Sequence, residues 1–303
     1  MSQLHIQFTL FSAFYSPLIV TLAGGFLKDE GLDASWSVAP PGTSAIKALL
    51  ADEAQVIQSA PSQGFSTLKE GREPDVLHFA QINEMDGFFV SGRSENGQAA
   101  AGKFDWKQLE GSEVVLFKAG QPNIMFRYAC HKAGIDYEKI KTITPGGADA
   151  IDAAFREGQG SFVQQQGPYP QQLEADGVGT VLAECGPLIG KNAFSSLAAR
   201  PDWLGTDQAR SFTQAYKKAR NHLNNTSAEE IARQIAPYFV EAGQKVDDAV
   251  LAKCIHTYQQ MGCWSPHIEI TQAAYDATLE IFKHAGSISE DYPYEKVCAL
   301  PPA

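Results

Sequence analysis

Asn83, Glu84 and Asp86 bring an amide and two carboxylates together in one short polar stretch. Such a group can bind an amine or an aminopyrimidine, or it can be an ordinary solvated loop. The other candidates are milder. They are Phe14 and Tyr15, Thr43 and Ser44, Ser59 and Ser62, then Gln121, Gly146, Gln165 and Tyr169. These hydroxyls, amides, aromatics and one glycine are a binding inventory, able to orient a small organic ligand by hydrogen bonds. Lys118 is the only basic residue among the loops collected here, so a neutral, cationic or aromatic ligand is expected over a small, strongly hydrated anion. No Gly-x-Ser-x-Gly elbow, HExxH or phosphate loop occurs. No catalytic residue, metal site or cofactor is therefore assigned.

Each candidate also has a plainer reading. Thr43 and Ser44 can cap a helix with or without touching a ligand. Phe14, Tyr15 and Tyr169 can be core or stacking platforms. Along Gln164-Gln165-Gln166 a strand would turn Gln165 to one face and its two neighbours to the other. His78, on an apolar strand, reads as a core histidine, and Trp264 reads as packing.

Composition narrows the class. The chain has 303 residues, 44% hydrophobic and 19% charged, which suits a folded chain with room for two lobes. Its net charge of -11 argues against nucleic acid, whose phosphates are met by lysine and arginine. No apolar run approaches the roughly 20 residues needed to cross a bilayer, so no membrane insertion is expected. Five cysteines, Cys130, Cys185, Cys254, Cys263 and Cys298, lack CxxC spacing and read as buried thiols. An odd, scattered set fits a reducing compartment. The opening MSQLHIQFTLF carries no basic region followed by a long apolar one. The expected location is cytoplasmic, or periplasmic where a leader has been removed.

The elements that must hold these side chains alternate. HIQFTLF, LDASWSVAP, AQVIQSA and DVLHFAQI read as strands, separated by the helical patterns PLIVTLAGGFLKDEG, AIKALLADE and SQGFSTLKEG. After GFFVSGR and a polar stretch, SENGQAAAGK, the series restarts with SEVVLF, IKTITP and GSFVQQQ between helices. The remainder from about residue 207 is mostly helical. Short alternation of this kind predicts parallel α/β layering in two units. Ligands of such sheets bind beyond the carboxyl ends of the strands, which is where the candidates fall.

The order of several phrases resembles the ABC-transporter substrate-binding proteins of the nitrate, sulfonate, taurine and thiamine-pyrimidine group, a type II periplasmic-binding-protein family. They are SPLIVTLAGGFLKDEGLD, PPGTSAIKALLADEAQVIQSAPSQGFSTLKEG, GSEVVLFKAGQPNIMFRYACHKAGIDYEKIKTITPGGADAIDAAFREG, LAARPDWL and GCWSPHIEITQAAYDATLEIFKHAGSI. The resemblance implies an α/β, two-lobed type II periplasmic-binding-protein-like fold with a cleft between lobes. Lobe one would comprise residues 1–88 and 194–303, and lobe two residues 89–193. It implies a monomeric solute receptor that holds a small organic ligand and serves an ABC-transporter permease. Where the family usually has an acidic or aromatic residue before a proline, this chain has VQQQGPYP. Two alternatives use the same fold, a cytoplasmic ligand sensor and an enzyme resembling the branch that makes the thiamine pyrimidine. That branch places a lysine and a nearby histidine after the third strand. Here SAPSQGFSTLKEG has no histidine, and Lys69 lies at the far end of its helix.

Overall fold

The computed structural model describes residues 1–40, 42–93 and 104–303. Pro41 and the polar stretch SENGQAAAGK (94–103) lie outside the described residues. The chain divides into two units. Unit 1 comprises Met1–Glu84, Asn192–Glu280 and Ile288–Ala303; unit 2 comprises Met85–Lys191 and Ile281–Ser287.

Unit 1 begins with β1 (Ser2–Phe8), α1 (Ser16–Ala23), α2 (Phe26–Asp29), β2 (Leu32–Val38), α3 (Ile46–Leu50), β3 (Val56–Ser59), α4 (Ser62–Lys69) and β4 (Leu77–Asn83). The helix expected across Gly24-Gly25 is broken there. Gly25 adopts a left-handed φ of 77°, and a Cβ on Gly24 would stand 2.2 Å from the Phe26 ring. Two glycines thus divide one periodic stretch into α1 and α2.

Unit 2 supplies β5 (Phe88–Arg93), β6 (Glu113–Val115), α5 (Gln121–Lys132), β7 (Lys141–Ile143), α6 (Ala148–Arg156), β8 (Phe162–Gln166), α7 (Tyr169–Ala175), β9 (Gly179–Glu184) and α8 (Cys185–Ile189). Unit 1 resumes with β10 (Ser195–Ala199), α9 (Pro201–Leu204), α10 (Asp207–Asn225), α11 (Ala228–Glu241) and α12 (Asp248–Met261). The chain closes with α13 (Gln272–His284) and α14 (Tyr294–Val297). The last turn of α13 is grouped with unit 2, whereas the family resemblance put that whole region in lobe one. Its physical basis is the packing of His284 against Tyr128 and His131 of α5.

Each unit is built on a five-stranded sheet, ordered β2-β1-β3-β10-β4 in the first and β7-β6-β8-β5-β9 in the second. In the first, β1 runs parallel to β2 and β3, while β10 is antiparallel to both β3 and β4. The second repeats the plan: β6 is parallel to β7 and β8, and β5 is antiparallel to β8 and β9. The parallel layering expected from alternation is thus interrupted in each sheet by one opposed strand, next to its edge. Periodicity reports which faces of a strand are buried and carries no sign of its direction.

The strands are buried because helices cover them. Leu49, Ala54, Ile57 and Ala198 join one core in unit 1, and Val115, Ile151, Phe155 and Val163 join another in unit 2. Helix starts are capped as the sequence suggests. Thr206 accepts from the Ala209 amide at 3.2 Å before α10, and Ser227 accepts from Glu230 at 3.3 Å before α11. All five cysteines are buried and unbridged. No described helix is long and apolar enough to cross a membrane.

Candidate functional site

In unit 1 the carboxyl ends of β1 and β3 lie side by side because the strands pair in parallel register, Phe8 opposite Gln58. Gln58 fastens the loop after β1. Its Oε1 accepts from the Thr9 and Leu10 amides at 3.0 and 2.9 Å, while Thr9 Oγ1 donates to the Gln58 carbonyl at 2.9 Å. Thr9 Oγ1 also accepts from the Ala45 amide at 3.1 Å, where α3 begins. One glutamine and one threonine therefore hold three chain segments in position. Sequence reasoning passed over both, since a glutamine in an apolar strand carries no motif.

Ser59 closes β3. It is 4% exposed, and among the described residues its hydroxyl has no hydrogen-bond partner. Ser62, equally buried, is the first residue of α4, which follows Pro61 without a side-chain cap. An unsatisfied buried hydroxyl such as that of Ser59 is uncommon in a folded chain and costs about 1–3 kcal/mol unless something meets it. At the next turn Thr43 donates to the Pro40 carbonyl at 2.7 Å, and Ser44 accepts from the Ile46 amide at 3.3 Å. Both side chains stabilise the entry to α3 and remain half-buried.

The aromatic candidates lie deeper. The fully buried Phe14 ring packs 4.8 Å from Tyr258 and 5.4 Å from Phe194, and Tyr15 is 4% exposed. Trp264 donates to the Asn83 carboxamide at 2.7 Å and to the Phe14 carbonyl at 3.2 Å. The Asn83 amide in turn donates to Ser195 at 2.8 Å, so Asn83 joins β4 to β10 and to the Trp264 loop. Glu84, 3% exposed, accepts from Ser265 at 2.5 Å and stands 3.4 Å from His267. His78 is fully buried with Nδ1 2.7 Å from Ser196, and burial lowers its pKa to about 3. It is a neutral core imidazole.

Unit 2 has its own set. Asp86 has no exposed surface, accepts from the Phe88 amide at 2.8 Å through Oδ1, and leaves Oδ2 without a partner among the described residues. Burial outweighs that hydrogen bond and raises its pKa to about 7. Gly186 allows the close packing: a Cβ there would lie 2.3 Å from the Asp86 carbonyl. Asp86 and the Asn83–Glu84 pair thus belong to different units, and the short polar stretch is split at its middle.

Gln164 and Gln165 face opposite sides of their strand, as alternation requires. Gln164 reaches the Pro122 carbonyl of α5 at 3.4 Å, whereas Gln165 donates to Asp152 of α6 at 3.1 Å. The Oε1 atoms of both are buried without partners among the described residues. Tyr169, at the start of α7, donates to Asp149 of α6. Burial and then that carboxylate push its phenol well above the usual range. Gln121 begins α5 half-buried, after a left-handed Gly120. Gly146 is exposed at φ 143° just before α6, a backbone that favours glycine. Among the described residues no group of three or more His, Cys, Asp or Glu side chains is placed to hold a metal.

The strand ends of both units thus present hydroxyls, amides and helix starts, the chemistry of recognition. The sequence profile of the NMT1-like family matches residues 2–237. A Bacillus subtilis (strain 168) protein named "Putative binding protein YtlA" is 28% identical over 290 residues, covering 94% of this chain and 84% of that one. Among solved structures, a ligand-binding component of an ABC-type import system from Staphylococcus aureus, with zinc bound, is similar with a TM-score of 0.74. That match has 13% identity and covers 99% of this chain and 97% of that one. The periplasmic aliphatic sulphonate-binding protein from Escherichia coli has a TM-score of 0.71 at 15% identity, covering 99% and 93%. Both likenesses are of fold, and the fold is the two-lobed periplasmic-binding-protein type.

Proposed function

The chain belongs to the NMT1-like family, and from that premise we propose that it is a small-molecule receptor supplying an ABC importer, with no reaction of its own. The relatives described as an import-system component, a sulphonate-binding protein and a binding protein support this reading. The observation that carries it is the Ser59 hydroxyl, buried without a described partner at the carboxyl end of a parallel strand, just before α4. A bound small organic ligand would satisfy it. In this reading Ser59 and Ser62, where β3 gives way to α4 in unit 1, touch the ligand. Thr43, Ser44 and Asn83 hold neighbouring loops of the same unit. Lys69, the lysine nearest to an enzymatic reading, ends α4 on the surface. The receptor is taken to act as a monomer that delivers its ligand to a permease.

A thermal-shift panel of pyrimidines, taurine, alkanesulfonates, nitrate and polyamines tests the reading. A ligand at 100 times its Kd raises stability by about 2.7 kcal/mol. Ser59→Ala then weakens that ligand about 5- to 150-fold, the equivalent of 1–3 kcal/mol, while leaving the ligand-free fold at least as stable as before. A panel without any shift, or a Ser59→Ala protein with unchanged affinity, counts against the site.

A further inference from the structure

Gln55 immediately precedes β3, so it stands about 13 Å along the strand from Ser59, at four steps of about 3.3 Å. A cavity of about 270 Å³ opens at that end, walled by Asp52, Gln55, Arg200, Asp202, Trp203 and Thr206. All six belong to unit 1. Arg200, Asp202 and Trp203 come from the phrase LAARPDWL, to which the receptor function gives no role. We propose that this cavity binds a free α-amino acid as its zwitterion, with the carboxylate on Arg200, the ammonium on Asp52 and Asp202, and an aromatic side chain against Trp203.

Arg200 is held by one edge. Its Nε stands 3.4 Å from Asp202 and 3.8 Å from Asp52, while Nη1 and Nη2 have no hydrogen-bond partner among the described residues. Those two amino groups form the fork that takes a carboxylate with two parallel bonds. Gln55 adds a donor to the same cavity. Its Oε1 accepts from the His5 amide at 2.8 Å, which fixes the side chain and leaves Nε2 without a partner among the described residues.

The carboxylates answer the other charge. Asp202 Oδ1 accepts from Arg200 and from the Trp203 amide at 3.0 Å, and its Oδ2 is unpartnered among the described residues. Asp52 makes only the long contact to Arg200. One guanidinium against two carboxylates leaves a negative charge over, which disfavours a plain anion, and a plain cation would leave the Arg200 fork unmet. Asp52 follows α3 at a left-handed φ of 59°, where glycine is the usual residue, so its carboxylate is carried there against the backbone's preference. Trp203 is anchored by Nε1 donating to Gln208 at 2.7 Å and by packing on Phe79 and Phe212, and it remains half-buried as an apolar wall. At about 270 Å³ the cavity falls just below the roughly 300–1,000 Å³ of drug-sized pockets, which suits one amino acid.

The test is calorimetry and ligand-detected NMR on the whole chain with L-phenylalanine, L-phenylalanine amide and 3-phenylpropionate. L-Phenylalanine should bind saturably with a millimolar Kd, and the other two, each lacking one of its charges, at least about tenfold more weakly. Arg200→Gln and Asp202→Asn should each weaken L-phenylalanine by a similar factor with the circular dichroism unchanged. Asp52→Gly separates binding from folding, since it should weaken binding without lowering the melting temperature. Arg233→Gln, at an exposed arginine of α11, should bind as the parent does. No saturable binding at tens of millimolar, equal binding of the amide, or binding that survives Arg200→Gln would overturn the assignment. So would a loss in Ser59→Ala with Arg200→Gln unaffected, which would move the amino acid to the strand ends.

Discussion

Arg220→Met should lower the stability of the chain by about 3 kcal/mol without reaching any residue proposed to touch ligand. The guanidinium is wholly buried in α10. It donates to the Ser265 carbonyl at 2.5 Å, to Ile82 at 2.9 Å and Gln81 at 3.3 Å, and to the Tyr216 hydroxyl at 3.2 Å. Ile82 is where β4 needs help. Ser195 pairs with Asn83 and Ser196 with Gln81, so Ile82 is the extra residue of a bulge and its carbonyl turns to Arg220. Methionine fills similar volume and donates nothing. Gln81 would keep the Tyr216 hydroxyl at 2.8 Å, but the Ile82 and Ser265 carbonyls would lose their donors. At about 1–3 kcal/mol each, the loss is about 2–6 kcal/mol. Removing a buried charge that pairs with no carboxylate among the described residues returns part of this, leaving about 3. Urea unfolding followed by circular dichroism measures it, and the m-value should not change. A variant within about 0.5 kcal/mol of the parent would refute the view that Arg220 supports the bulge.

Asp86 makes a pH-dependent contribution. With a folded pKa of about 7 against an ordinary carboxylate near 4, the folded chain retains a proton that the unfolded chain releases, so stability declines as pH rises between those values and then levels. Asp86→Asn should flatten that slope and gain up to about 4 kcal/mol at alkaline pH; parallel slopes in urea titrations at acid and alkaline pH would contradict this. Gly186→Ala forces a Cβ to 2.3 Å from the Asp86 carbonyl and should cost at least about 2 kcal/mol, a wild-type melting temperature being the contrary result. Gln58→Ala frees the Thr9 and Leu10 amides, and hydrogen exchange there should accelerate while exchange in unit 2 stays unchanged.

Much of the layout was legible because apolar alternation and glycine punctuation record burial directly. β1 to β4, β6 to β8 and the long helices α10 to α12 fall where periodicity puts them. β9 escaped notice: GTVLAE is one residue of burial followed by a half-covered run, the profile of an edge strand, and it resembles a loop when read alone. The candidate residues were found by position at strand ends, which the sequence does record. Their partners were not, because Asn83 with Trp264, Gln165 with Asp152 and Arg220 with the β4 bulge are pairings across the fold. Local patterns are blind to them. Asp86 shows the same limit, since a carboxylate in a polar run gives no sign that Gly186 and Met85 will pack around it.

The place of β10 in its sheet has a consequence for how the chain is made. β10 lies between β3 and β4, yet Ser195 comes 112 residues after Asn83, its partner. Until those residues have been synthesised, β3 and β4 have an open slot between them, and their facing edges carry unpaired amides and carbonyls. The gap in the second sheet is shorter: β5 waits for β8, whose Gln166 follows its partner Phe88 by 78 residues, and all five strands lie between Phe88 and Glu184. On the ribosome unit 2 should therefore reach its native pairing first, although it begins later. β3 and β4 wait longest, and a nascent chain halted before Ser195 would be the form most prone to pair with a neighbour's exposed edge.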